Sequence, residues 1–128
     1  MKTTTQINQK LILLVDDSKA IRSALVWILE EEGYCVSTAE NGQIALEKLE
    51  QDPLPSLIIL DLMMPVMDGV EFRTRQKETP RIQDIPVIFT SAKNNLEKHF
   101  EPLPNKMILP KPFDIDYLLT LIAQFCKK

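Results

Sequence analysis

The 128-residue sequence predicts a single α/β domain: an open, doubly wound parallel sheet of five strands with helices on both faces. Three observations predict it. Apolar runs such as Leu11–Val15 and Leu57–Leu60 are too short for helices and do not alternate with polar residues, so they read as strands buried on both sides. Between such runs, apolar residues recur at helical spacing. The two patterns alternate to the end of the chain, and strand–helix alternation with right-handed crossovers means parallel strands covered on both faces.

The elements follow in order. Met1–Gln9 is polar and Thr-rich and reads as a flexible N-terminal arm, leaving residues 10–128 as the domain. Leu11–Val15 is the first strand. Ala20, Ile21, Ala24, Leu25, Ile28 and Leu29 then share a helical face, capped by Ser18 or Asp17 and stopped by Gly33. Trp27 falls off that apolar face. Tyr34–Ala39 is a second, mixed strand. Asn41 caps a helix with Ala45, Leu46 and Leu49 on one side, and Pro53 and Pro55 end it. Leu57–Leu60 is the third strand. A loop rich in Met and Pro closes at Asp68-Gly69. The helix that follows, Val70–Glu78, has a thin apolar face, because Arg73 and Gln76 stand where leucines are expected. Pro86–Phe89 is the fourth strand, and Lys93–Phe100 is a short helical segment cut off by Pro102 and Pro104. Lys106–Leu109 is the fifth strand. Asp114 caps a last helix on which Ile115, Leu118, Leu119, Ile122 and Phe125 align.

Composition narrows the function classes. A chain of this length can bury a core without staples. The net charge of −3, with both signs interleaved and no basic stripe, argues against direct nucleic-acid binding. No stretch approaches the ~18 apolar residues of a membrane span, and the arm is unlike a signal peptide. The expected compartment is the cytoplasm. Cys35 and Cys126 read as reduced thiols, since they lie far apart with no metal-type spacing. The three glycines, Gly33, Gly42 and Gly69, form no phosphate-cradling loop, and the lone His99 has no catalytic partners. Met63, Met64 and Met67 read as a packed loop, because no Cys or His accompanies them as for a soft metal.

Ligands of open parallel sheets sit at the carboxyl ends of the strands. Here the first strand ends on Asp16-Asp17, the third on Asp61, the fourth on Thr90-Ser91 and the fifth just before Lys111. In a flavodoxin-like order, 2-1-3-4-5, those four strands are adjacent, and their ends gather three carboxylates, a hydroxyl and an ammonium. The second strand ends on Ala39-Glu40 at the far edge. Two like charges ~4 Å apart cost on the order of 4 kcal/mol near a protein surface, so the cluster calls for a counterion. Mg²⁺ suits it, being a hard ion that takes one or two carboxylates plus phosphate oxygens. An aspartate can receive a phosphoryl group, Lys111 can pair with it as a point charge, and Ser91 can donate to a phosphate oxygen.

The segments "VDDS", "LIILDLMMPVMDG", "PVIFTSA" and "LPKPF" resemble the receiver domains of two-component response regulators, over about Leu11–Cys126. The strand order above is in part an implication of that resemblance. So are the roles. Asp61 matches the phosphoacceptor. Asp16 and Asp17 match the acidic pair that, with Asp61 and the backbone carbonyl of Met63, organises Mg²⁺. Ser91 matches the switch hydroxyl and Lys111 the phosphate-contacting lysine, followed by Pro112 in a peptide that is frequently cis. Met63 and Lys93 match positions that tune the lifetime of the phosphoryl group. The implied donor is the phosphohistidine of a histidine kinase or histidine phosphotransfer protein. The implied output is a phosphorylation-dependent contact with a downstream protein, with self-catalysed dephosphorylation as the only turnover. With no output domain after Lys128, a stand-alone receiver is expected.

Two features depart from the pattern. Ile108 stands where the family carries an aromatic residue, and "HFEPLPNKM" lacks the usual lead into the fifth strand. The helix before that strand is therefore expected to be short or displaced. A phosphorylation-independent interaction module is the competing expectation. A Mg²⁺-dependent phosphatase is a weaker one, since Leu62 and Met63 follow Asp61 where such enzymes place a second aspartate.

Overall fold

The computed structural model describes residues 10–92 and 108–126. Its elements are β1 (Leu11–Val15), α1 (Lys19–Glu31), β2 (Cys35–Ala39), α2 (Gly42–Lys48), β3 (Leu57–Asp61), α3 (Gly69–Lys77), β4 (Val87–Ala92), β5 (Ile108–Lys111) and α4 (Ile115–Phe125). The five strands form one parallel sheet in the order β2-β1-β3-β4-β5, as expected. The arm Met1–Gln9, the expected helical segment Lys93–Phe100 with His99, and Lys106 lie outside the described residues.

Strand alternation divides the core into two layers. Leu13, Val15, Ile58, Leu60, Val87 and Phe89 pack with Ala45 and Leu49 of α2 and Phe72 of α3. Ile12, Leu14, Leu57, Ile59, Ile88 and Leu109 pack with Leu25 and Leu29 of α1 and Leu118, Leu121 and Ile122 of α4. Each strand residue serves one layer or the other, which is why the central strands are apolar throughout rather than every second residue. Burying a leucine or isoleucine fully is worth about 1.5–3 kcal/mol, so these strands anchor the fold. The caps Asn41 and Asp114 are those expected, Ser18 rather than Asp17 caps α1, and Asp68 adds a cap the sequence reading did not name. Ser18, Asn41, Asp68 and Asp114 each accept a backbone N–H of their helix's first turn. Gly33, at φ 96°, closes the turn after α1. Trp27, off the apolar face of α1, is 67% exposed.

Several boundaries differ from the sequence reading, each for a reason. β4 was expected to stop at Phe89 and β5 at Leu109. Both run further, because Thr90, Ser91 and Ala92 find ladder partners in Asp61, Pro110 and Lys111. Strands end where pairing ends, not where apolarity ends. Pro110 sits within β5, an edge strand, where its missing N–H is tolerated. β2 begins one residue late, at Cys35, although Tyr34 is buried. α2 ends at Lys48, ahead of Pro53, with Leu49 as its C-cap.

The thin face of α3 has an explanation the sequence did not show. Gln76 is fully buried, and its side-chain amide donates to the carbonyls of Ile82 and Ile85, both at 2.9 Å. Arg73 in turn donates to Gln76 Oε1 at 2.6 Å. The two residues that interrupt the apolar pattern thus clamp the α3–β4 connection onto the core.

Candidate functional site

The ends of β1, β3 and β5 bring their polar residues together. Val15 is fully buried and Asp16, the next residue, is only 2% exposed; Asp61 at the end of β3 is 4% exposed. Carboxylates this deep need partners. Asp16 is held at every polar atom. Its N–H donates to Ala39 O at 3.1 Å, and its carbonyl accepts from Arg22 Nη1 at 2.8 Å. Its Oδ1 accepts the Ser18 N–H at 2.9 Å and its Oδ2 accepts Lys111 Nζ at 3.0 Å. Asp61 accepts the Met63 N–H on Oδ1 at 3.0 Å and Lys111 Nζ on Oδ2 at 3.1 Å. One ammonium therefore bridges two carboxylates.

Asp17 completes the group from the exposed side: carboxylate oxygens of Asp16, Asp17 and Asp61 all lie within 4.8 Å of one another. Three carboxylates face one ammonium, so charge is left uncompensated. Burial pushes the Asp61 carboxyl above the usual carboxylate range, and Asp16 adds to the rise. The Met63 N–H and Lys111 oppose it without cancelling it. At Lys111 burial favours the neutral amine, but the hydrogen bonds and attraction of Asp16 and then Asp61 outweigh it and raise the ammonium's pKa. The donors are all oxygen and lie close enough to share a small hard cation, whose opposed ligands sit ~4 Å apart.

Ser91 is fully buried in β4, beside β3 and one residue beyond Thr90, the ladder partner of Asp61. Met63 supplies its amide to Asp61 while its side chain is 53% exposed. The loop behind Asp61 is braced. Leu62 N donates to Thr90 O and Gly69 N to Leu62 O, both at 2.9 Å. Gly69 is required there, since a Cβ would stand 2.8 Å from the Leu62 Cα. Of the three methionines expected to pack in this loop, Met64 and Met67 are buried in the core layer and Met63 is not. Between them Val66 takes φ 72°, bridged by a hydrogen bond from Met67 N to Pro65 O. The Lys111–Pro112 peptide is cis. Ile108 packs half-buried against the layer that contains Phe89.

The sequence reading missed Arg22. It lies one helical turn past the cap Ser18, on the side of α1 that turns back toward the β1–α1 loop, and that position was the available signal. A cavity of about 630 Å³ opens elsewhere, beside Leu11, Ser37, Ile44 and Lys48, and shares no residue with the carboxylate cluster.

The profile of the response regulator receiver domain matches residues 12–123. The chain belongs to the response regulator receiver domain family. It is 37% identical over 128 residues to an uncharacterised 14.6 kDa protein of Leptolyngbya boryana, covering 98% of this chain and 95% of that one. It is 38% identical over 113 residues to histidine kinase P4 of Formosa agariphila, covering 87% of this chain and 8% of the kinase. The chain spans about half the length of the response regulators it matches. Among solved structures, chemotaxis protein CheY4 of Vibrio cholerae superposes with a TM-score of 0.77 at 29% identity, covering 91% of this chain and 98% of that one. Receiver domains act in two-component signalling rather than as conventional enzymes, and this receiver carries the acidic cluster at the expected strand ends.

Proposed function

We propose that Asp61 is the phosphoacceptor of this receiver domain, taking a phosphoryl group from the phosphohistidine of a histidine kinase or histidine phosphotransfer protein. The observation that carries the reading is the state of Asp61: nearly buried, fixed on one oxygen by the Met63 N–H and on the other by Lys111, beside two further carboxylates. An Asp61 oxygen attacks phosphorus, the P–N bond to the donor imidazole breaks, and the imidazole leaves neutral with its proton. Asp16, Asp17, Asp61 and the Met63 carbonyl would hold Mg²⁺. When bound, that ion supplies positive charge opposite the oxygens of the transferred group. Lys111 then exchanges one carboxylate contact for a phosphoryl oxygen. Ser91 donates its hydroxyl to another, and that movement is the switch read by a downstream protein. The domain hydrolyses its own acyl phosphate, at a rate set in part by Met63 and Lys93, and acts on no external phosphoester.

Residues 10–128 constitute the receiver, preceded by the arm Met1–Gln9. A cytoplasmic setting accords with this role; no helix among the described residues is long and apolar enough to cross a membrane. Ile108, in place of an aromatic, favours one second reading: an interaction module whose contacts do not depend on phosphorylation. Amide NMR with beryllofluoride, an acyl-phosphate mimic, tests both. Mg²⁺-dependent shifts at Asp61, Ser91 and Lys111 in wild type, absent in Asp61→Asn, are expected. No Mg²⁺-dependent response would sink the phosphoacceptor reading and leave the constitutive module.

A further inference from the structure

The peptide that joins Asp16 to Asp17 sets the geometry of the acidic pair, and a residue outside the cluster grips it. The carbonyl of that peptide, Asp16 O, accepts a hydrogen bond from Arg22 Nη1 at 2.8 Å. Arg22 is itself anchored, its N–H donating to Ser18 O at 3.0 Å in the first turn of α1. The side chain of Asp16 needs no help from it, being held by Ser18 and Lys111. Asp17 differs. It is exposed, and no hydrogen bond from a described residue reaches its carboxylate. The direction in which Asp17 projects follows from the plane of the peptide before it, and Arg22 holds that plane.

We infer that Arg22 is a positioning residue for the divalent-cation site, orienting the Asp17 carboxylate through its hydrogen bond to the Asp16 carbonyl. The inference rests on the phosphoacceptor reading above. Its sign separates it from plain electrostatics. Arg22 is a cation near an acidic cluster, so on charge alone its removal would tighten a bound divalent cation. Positioning requires the opposite: the cation is held less well when the peptide is released. Lysine keeps the charge, but its chain is one bond shorter and ends in a point donor rather than a planar fork. A lysine is therefore expected to hold the Asp16 carbonyl less firmly than the Arg22 fork does.

The test is Mg²⁺ titration of wild type, Arg22→Lys and Arg22→Met, followed by amide NMR and calorimetry, with far-UV circular dichroism as the check on folding. Both variants are expected to bind Mg²⁺ about tenfold more weakly, the usual effect of losing a group that orients a metal ligand. The Asp17 amide resonance is expected to move in the Mg²⁺-free variants while that of Ile59, mid-strand in β3, stays in place. Binding as tight as wild type or tighter, in either variant, overturns the role given to Arg22. A wild-type protein that binds no Mg²⁺ overturns the phosphoacceptor reading itself and removes the site Arg22 would serve, a result distinguishable from the first.

Discussion

Replacing Asp61 by asparagine is expected to abolish phosphorylation and yet make the metal-free fold more stable. The opposing terms can be sized. Asp16 brings a carboxylate oxygen within 4.8 Å of Asp61, costing about 3 kcal/mol at an effective dielectric of ~20, and the exposed, solvent-screened Asp17 adds less. Lys111, 3.1 Å away, returns about 5 kcal/mol on the same scale. The Coulomb terms come close to cancelling, so burial decides, and burial is the first cause of the raised Asp61 pKa. Asparagine keeps the shape and the Met63 hydrogen bond, while Lys111 keeps Asp16. Burial tips the balance toward the neutral side chain, and each 1 kcal/mol gained is worth about 3–6 °C in Tm for a domain of this size. The pH dependence has a definite sign. A carboxyl raised in the folded state contributes stability that is complete below its unfolded value, near 3.8, and is lost as pH rises through the folded value. The advantage of Asp61→Asn is therefore present at pH 7 and closes as pH falls through the raised Asp61 value. Thermal melts in chelator at pH 7 and at pH 4 measure it, and saturating Mg²⁺ is expected to reverse the order by stabilising only wild type. A Tm at pH 7 equal to or below that of wild type in chelator would refute the reasoning, showing that the Lys111 bond outweighs burial.

Other perturbations follow from the same contacts. Lys111→Met leaves two nearly buried carboxylates without their shared cation, and is expected to cost about 3–5 kcal/mol in chelator at pH 7 and to recover on adding Mg²⁺; melts with and without the ion decide it. Gln76→Leu preserves bulk but strands the Ile82 and Ile85 carbonyls, so urea unfolding is expected to show a loss of about 2–4 kcal/mol. A change within ~0.5 kcal/mol, the range of an ordinary surface substitution, would contradict the clamp. Gly69→Ala drives a methyl to 2.8 Å from the Leu62 backbone and is expected to cost about 1–3 kcal/mol. Gly42→Ala first meets the Met67 side chain, at 3.0 Å, rather than backbone, and is expected to cost less; equal losses would refute the distinction.

The parallel sheet was legible because Leu11–Val15 and Leu57–Leu60 are apolar at every position, a pattern that only a strand covered on both faces requires. The site was legible for a similar reason. Charges such as Asp16 and Asp61 that end so apolar a run have few stable places to go, and the sheet sends them to one edge. The resemblance to receiver domains then attached roles to those positions. The strand ends likewise gathered Lys111 with the carboxylates, 95 residues from Asp16 and 50 from Asp61, but did not foretell that its one ammonium bridges both. What stayed hidden were the pairings themselves. Gln76 and Arg73 looked like defects in an apolar face until the carbonyls of the next connection were beside them. The ends of β4 and β5 were misread because composition marks where a strand is buried, whereas its length is set by a neighbour with unpaired backbone groups at the same level. Side-chain chemistry and periodicity belong to the sequence by itself. Which donor meets which acceptor is decided only when the register of the sheet brings distant residues to the same height.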